Sequence, residues 1–97
     1  IPMDRIAEFC KRNRVRRLSL FGSVLRDDFS SDSDIDVLLT FAPEAIYTLF
    51  DLVEMHDELG DAFGRDVDIV DRRAMEQSHN YIRRNAILET YEVIYAP

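Results

Sequence analysis

A single cysteine, Cys10, stands in a chain of 97 residues. One thiol cannot close an internal disulfide and cannot build a multi-cysteine zinc site; it fits a reducing compartment, so a cytoplasmic location is expected. Also missing is any apolar run near the roughly 18–20 residues of a membrane span, and no signal-like segment is visible, so no membrane association is expected. Basic residues are in the minority, 12 Lys and Arg against 19 Asp and Glu, for a formal net charge of −7. That balance argues against non-specific nucleic-acid binding, which needs a basic footprint. Repeats, low-complexity segments and linkers are lacking too. What remains, 46% apolar and 32% charged residues, is the composition of one globular domain over residues 1–97, large enough for one core but not two. Its charges are uneven. Lys11, Arg12, Arg14, Arg16 and Arg17 crowd the start, while Asp51, Glu54, Asp57, Glu58 and Asp61 load the middle. Such runs are either solvated faces or surfaces that steer a partner of opposite charge.

The most informative stretch runs from Leu18 to Leu39. An apolar run ends in Gly22-Ser23, and ten residues later Asp34-Ile35-Asp36 opens a second apolar run. Strands repeat every two residues, so Asp34 and Asp36 share a face, with their carboxylates roughly 6–7 Å apart. Like charges that close repel unless a cation lies between them, and a hard divalent ion such as Mg²⁺ is the usual one where phosphates are handled. Gly22 permits a tight turn and close approach of backbone to ligand. Ser23 then opens the next segment, where free N–H groups and a hydroxyl can hold phosphate oxygens. The bland alternative is a Ser- or Asx-type turn before an edge strand, which leaves Asp36 unexplained inside an apolar strand.

In chain order, Asp4 is read as the cap of a first helix whose stripe is Ile6, Phe9 and Cys10, making Cys10 a buried, inert thiol. Residues 15–21 are the first strand. A short helix follows from Ser23 to Phe29, with Arg26 on the side of Ser23, able to reach a phosphate or an acidic strand residue, or else an ordinary surface side chain. Residues 35–41 form a second strand, apolar on both faces and therefore interior. The longest helix is expected from about Glu44 to Ala62, with Leu49, Leu52, His56, Leu59 and Phe63 as its buried stripe, widened by Ile46, Phe50 and Val53. His56 is then a boundary or core histidine.

Residues 65–70 make the third strand, where Asp66 and Asp68 repeat the geometry of the first acidic pair. A third carboxylate from a neighbouring strand would complete a site for two metal ions that clamp an in-line phosphoryl displacement. Asp68 sits between apolar residues and needs a reason to be there, whereas Asp66 follows Arg65 in a turn and can be simply solvated. Asp71 caps a last helix with the stripe Met75, His79, Ile82 and Ala86; Arg72, Arg73, Arg83 and Arg84 lie off it, where they meet solvent, a triphosphate or a partner. Residues 87–95 are a short terminal strand or a packed tail.

Gly22-Ser23, Arg26 and Ser33-Asp34-Ile35-Asp36 resemble the signature of the DNA-polymerase-β-type nucleotidyltransferases, and the small size resembles their minimal (MNT) branch, often antitoxins paired with HEPN toxins. The resemblance spans about Asp4 to Tyr95. It implies an α/β (α+β) fold, a mixed sheet of three strands, or four if the terminal segment joins, flanked by helices. It also implies catalytic and metal-binding roles for Asp34, Asp36 and Asp68, with the acid between apolar residues of the third strand matching Asp68, and nucleotide-binding roles for Gly22, Ser23 and Arg26. Two Mg²⁺ ions and ATP would then serve AMP transfer to a hydroxyl, a tyrosine, of a HEPN toxin. The chain offers little wall for a second substrate, so a partner protein that carries the acceptor is expected. The alternatives are an antitoxin that acts by binding alone and a small-molecule transferase of the aminoglycoside-modifying type.

Overall fold

The computed structural model describes residues 2–25 and 34–96. Helix α1 (Met3–Arg12) leads into strand β1 (Val15–Phe21) and a 3₁₀ turn over Gly22–Leu25. Strand β2 (Ile35–Phe41), helix α2 (Leu49–Phe63) and strand β3 (Val67–Asp71) follow, then helices α3 (Arg72–Glu76) and α4 (Tyr81–Thr90) and strand β4 (Glu92–Tyr95). The sheet order is β3-β2-β1-β4. β1 runs antiparallel to both β2 and β4, while β2 and β3 are parallel. A parallel pair needs a long crossover, which α2 provides.

Strand alternation sorts the core into two layers. Leu18, Leu20, Val37, Leu39 and Val67 pack against Ile6, Phe9 and Cys10 of α1 and Met55 and Leu59 of α2. Phe21 and Leu38 turn the other way, against Met75 of α3 and Ile87 of α4. Val37, Leu38 and Leu39 are therefore all fully buried, as expected for an inner strand covered on both faces. The uneven charges partly meet each other: Arg5 Nη2 lies 2.7 Å from Asp61 Oδ2, and Arg12 Nη2 lies 2.8 Å from Glu58 Oε2, tying α1 to α2. Among the described residues no helix is long and apolar enough to cross a membrane.

Several sequence expectations shift. The first helix starts at Met3 with Pro2 in the cap position, not at an Asp4 cap. The third strand covers Val67–Asp71 rather than 65–70. The segment after Gly22 is a 3₁₀ turn, and its expected helical continuation to Phe29 lies outside the described residues. α2 begins at Leu49 rather than Glu44 because Thr48 and Asp51 form a reciprocal capping box: the Thr48 hydroxyl accepts from the Asp51 N–H at 3.1 Å, and the Asp51 carboxylate accepts from the Thr48 N–H at 2.8 Å. Its buried residues are Met55 and Leu59; Ile46, Leu49, Phe50, Val53 and His56 are exposed. The expected single last helix is two, because the Asn80 side chain accepts from the Arg83 N–H at 3.1 Å and starts α4 afresh. His79 and Ile82 are consequently exposed, and Ile87 takes the buried position. The C-terminal segment completes α4 and then adds a fourth strand beside β1.

Candidate active site

Gly22 follows the last residue of β1 and adopts φ +75°, the left-handed region that favours glycine. The bend brings its backbone down onto β2, so closely that a Cβ on residue 22 would lie 2.2 Å from Asp36 Oδ2. Ser23 places its backbone in the same turn. Arg26 lies outside the described residues.

Asp36 is the second residue of β2, with Phe21 of β1 as its register partner on one side and Asp68 of β3 on the other. Adjacent strands are about 4.7–4.9 Å apart, so Asp36 and Asp68 stand side by side on β2 and β3, and the Gly22 bend at the end of β1 extends the row by seating on Asp36. Asp34 is exposed, immediately upstream of β2. Asp66 contributes its carbonyl, which accepts from the Ile35 N–H at 3.0 Å and sets the register that aligns Asp68 with Asp36. Among the described residues no three His, Cys, Asp or Glu side chains converge as a ready metal-ligand group. The Asp68 carboxylate instead leans toward Arg83, with Oδ2 3.6 Å from Nη2, both side chains being about half exposed.

The donor set still suits a hard cation. Asp34, Asp36 and Asp68 offer carboxylate oxygens, the ligands Mg²⁺ takes. The missing Cβ at residue 22 also leaves the Asp36 carboxylate directly beneath a stretch of backbone suited to phosphate. The chemistry of these residues would suit a hard cation beside a phosphate.

Beyond Asp68 a cavity of about 320 Å³ opens between β3, α3 and α4. Val70, Met75 and Ile87 give it an apolar floor, and Asp68, Arg83 and Arg84 line its polar side. Arg84 stacks over the Tyr81 ring, 4.7 Å from its centroid. Sequence reasoning grouped Arg83 with arginines of undecided role. The signal that places it was Asn80, a cap that starts α4 three residues earlier and turns Arg83 toward β3.

Known proteins are similar to this chain in sequence and in fold. Residues 3–92 match the nucleotidyltransferase domain family. The chain is 33% identical over 69 residues to the protein adenylyltransferase MntA of Thermococcus cleftensis, an alignment spanning 71% of this chain and 68% of that one. In fold it is similar to a chain from the crystal structure of a toxin–antitoxin with AMP-PNP, with a TM-score of 0.74 at 21% identity over 100% of this chain and 75% of the other. It is also similar to a chain from the structure of a tri-AMPylated Shewanella oneidensis HEPN toxin in complex with MNT antitoxin, with a TM-score of 0.63 at 20% identity, covering 97% and 69%. At those identities the two structures speak to fold; the match over nearly all of the chain goes further, and by it this protein belongs to the nucleotidyltransferase domain family.

Proposed function

We propose that this chain is an antitoxin that moves AMP from ATP to a tyrosine hydroxyl of a partner HEPN toxin, in the cytoplasm. The observation that carries the reading is the row Gly22–Asp36–Asp68 across neighbouring strands, a backbone bend seated on one carboxylate with a second in register beside it. The name of the Thermococcus cleftensis relative and the AMPylated toxin in the Shewanella oneidensis complex support the choice of reaction and acceptor.

In this reading the backbone N–H groups of the Gly22–Leu25 turn, with Ser23 and Arg26, hold the β- and γ-phosphates. Asp34, Asp36 and Asp68 would hold Mg²⁺, which when bound neutralises phosphate charge and lowers the pKa of the attacking hydroxyl. Asp68, at the open edge of the row, takes the proton from that hydroxyl. Attack at the α-phosphate releases pyrophosphate from the turn.

The test incubates the chain with ATP, Mg²⁺ and its partner and weighs the partner. A gain of one or more AMP units is expected with the wild type and none with Asp36→Asn. Neutralisation of the toxin by Asp36→Asn as complete as by wild type, with no mass gain from either, would leave binding alone as the mechanism.

A further inference from the structure

We infer that the cavity between β3, α3 and α4 is the acceptor pocket, built for a tyrosine side chain presented by an acidic polypeptide segment. This inference rests on the adenylyltransferase reading above, and it adds the location and chemistry of the acceptor.

The row runs from the Gly22 bend just past β1, through Asp36 on β2, to Asp68 on the edge strand β3. Pyrophosphate departs toward the bend. Attacking and leaving oxygens lie roughly in line across the transferred phosphorus, so the acceptor approaches from the Asp68 end. The cavity opens at that end, with Asp68 in its lining.

The lining then selects the acceptor. Val70, Met75 and Ile87 form a floor that a flat ring can cover, with Met75 and Ile87 themselves buried in the core. A phenol resting there extends its oxygen toward Asp68, whereas a serine or threonine hydroxyl gains nothing from the floor. The volume of about 320 Å³ admits one side chain with part of its backbone. Ile69 packs its side chain on the opposite layer, so what it presents to the cavity is the main chain of an edge strand, open to hydrogen bonds from an extended peptide. Asp71, the second carboxylate of the lining, is engaged by the Tyr47 hydroxyl and the Arg73 N–H, and on the far wall Arg83 and Arg84 bring two cations. They complement acidic residues beside the tyrosine. In the step itself the phenolic oxygen bonds to the α-phosphorus while the bond from that phosphorus to the bridging oxygen breaks. Pyrophosphate carries off that electron pair, and the phenolic proton passes to the Asp68 carboxylate.

The test blocks the cavity without touching the phosphate grip. Ala74→Trp and, separately, Ser78→Trp place an indole in the lining, each from a position that is not buried. The chain with ATP and Mg²⁺ is offered synthetic peptides with a central tyrosine or serine flanked by glutamates, and a tyrosine peptide flanked by lysines. AMP-PNP affinity and thermal melting are measured in parallel. Wild type is expected to modify the glutamate-flanked tyrosine best and serine not at all. Both tryptophan variants are expected to lose at least about 10-fold in kcat/KM for that peptide, mainly through KM, with AMP-PNP affinity within about 2-fold of wild type. Arg83→Glu with Arg84→Glu should shift preference toward the lysine-flanked peptide. Folded tryptophan variants that modify the peptide at the wild-type rate would overturn the inference and leave the reading intact, and so would loss of AMP-PNP binding in either, which would assign the cavity to the nucleotide. A wild type that binds AMP-PNP but adenylylates neither peptides nor toxin would sink the reading and the inference together.

Discussion

Gly22 and Asp36 claim the same space: a Cβ on residue 22 would stand 2.2 Å from the Asp36 Oδ2 and 3.1 Å from its Cγ. Glycine is required there twice over, by that contact and by a φ of +75°. Gly22→Ala is therefore expected to lower stability by about 1–2 kcal/mol, the cost of placing an L-residue in the left-handed region. It should also push the Asp36 carboxylate aside, and a displacement near 1 Å at reacting groups lowers rates by about 10²-fold. Thermal melting and single-turnover AMP transfer read the two effects separately. A transfer rate equal to wild type would show that the bend and the carboxylate do not work together.

Asp68 and Asp66 give a cleaner contrast, since both lie on the exposed side of the same strand region. The side chain of Asp68 stands in register beside Asp36, while Asp66 is used through its backbone carbonyl. Asp68→Asn is expected to cut AMP transfer by about 10²–10⁴-fold, the usual worth of a general base. Stability should change by no more than about 1 kcal/mol, because the ion pair it breaks with Arg83 is half exposed. Asp66→Asn keeps its carbonyl and is expected to stay within about 2-fold of wild type in rate. Equal losses in both variants would point to general electrostatics rather than a placed base.

How much of this was readable in the chain depends on where the signal is local. Strand β1, the Gly22 bend and β2 were legible because alternation, a glycine and a continuous apolar run each act over a few residues. Asp68 was separable from Asp66 by its apolar neighbours, but only the parallel register of β2 and β3 sets it beside Asp36. The stripe of α2 was misread because Ile46, Leu49, Phe50 and Val53 have helical spacing, and spacing cannot say whether anything covers the face. The end of the chain was misread for a different reason: an apolar pattern continued through Ser78, His79 and Asn80, whose capping competes with an unbroken helix.

Helix α2 turns that misreading into a measurement. Phe50 is 83% exposed and Leu59 is fully buried, although both are large, apolar and on one helix. Leu59→Ala is expected to cost about 2–5 kcal/mol, from lost burial and a cavity between α1, α2 and the sheet. Phe50→Ser should fall within about 0.5 kcal/mol of wild type. Urea unfolding of both variants decides it; a Phe50→Ser loss comparable to Leu59→Ala would mean that the α2 stripe is covered in solution.

The last expectation concerns alkaline pH. Burial pushes the Cys10 thiol from an ordinary 9.0 up to about 12. Burial, and then the hydrogen bond that its hydroxyl donates to Asp71, pushes Tyr47 from 10.0 up to about 12. Each group holds its proton more tightly folded than unfolded, so the stability it contributes is complete below its unfolded pKa and lost as pH rises through the folded one. Urea midpoints should therefore hold steady to about pH 9 and then decline toward pH 12. Tyr47→Phe should flatten the part of that decline above pH 10, and Cys10→Ala the part that begins near pH 9. The same burial predicts that iodoacetamide at pH 8 alkylates Cys10 only as fast as the chain unfolds, so a urea series of labelling rates should track the unfolding curve. Fast labelling without urea would contradict the placement of this thiol between α1 and the sheet.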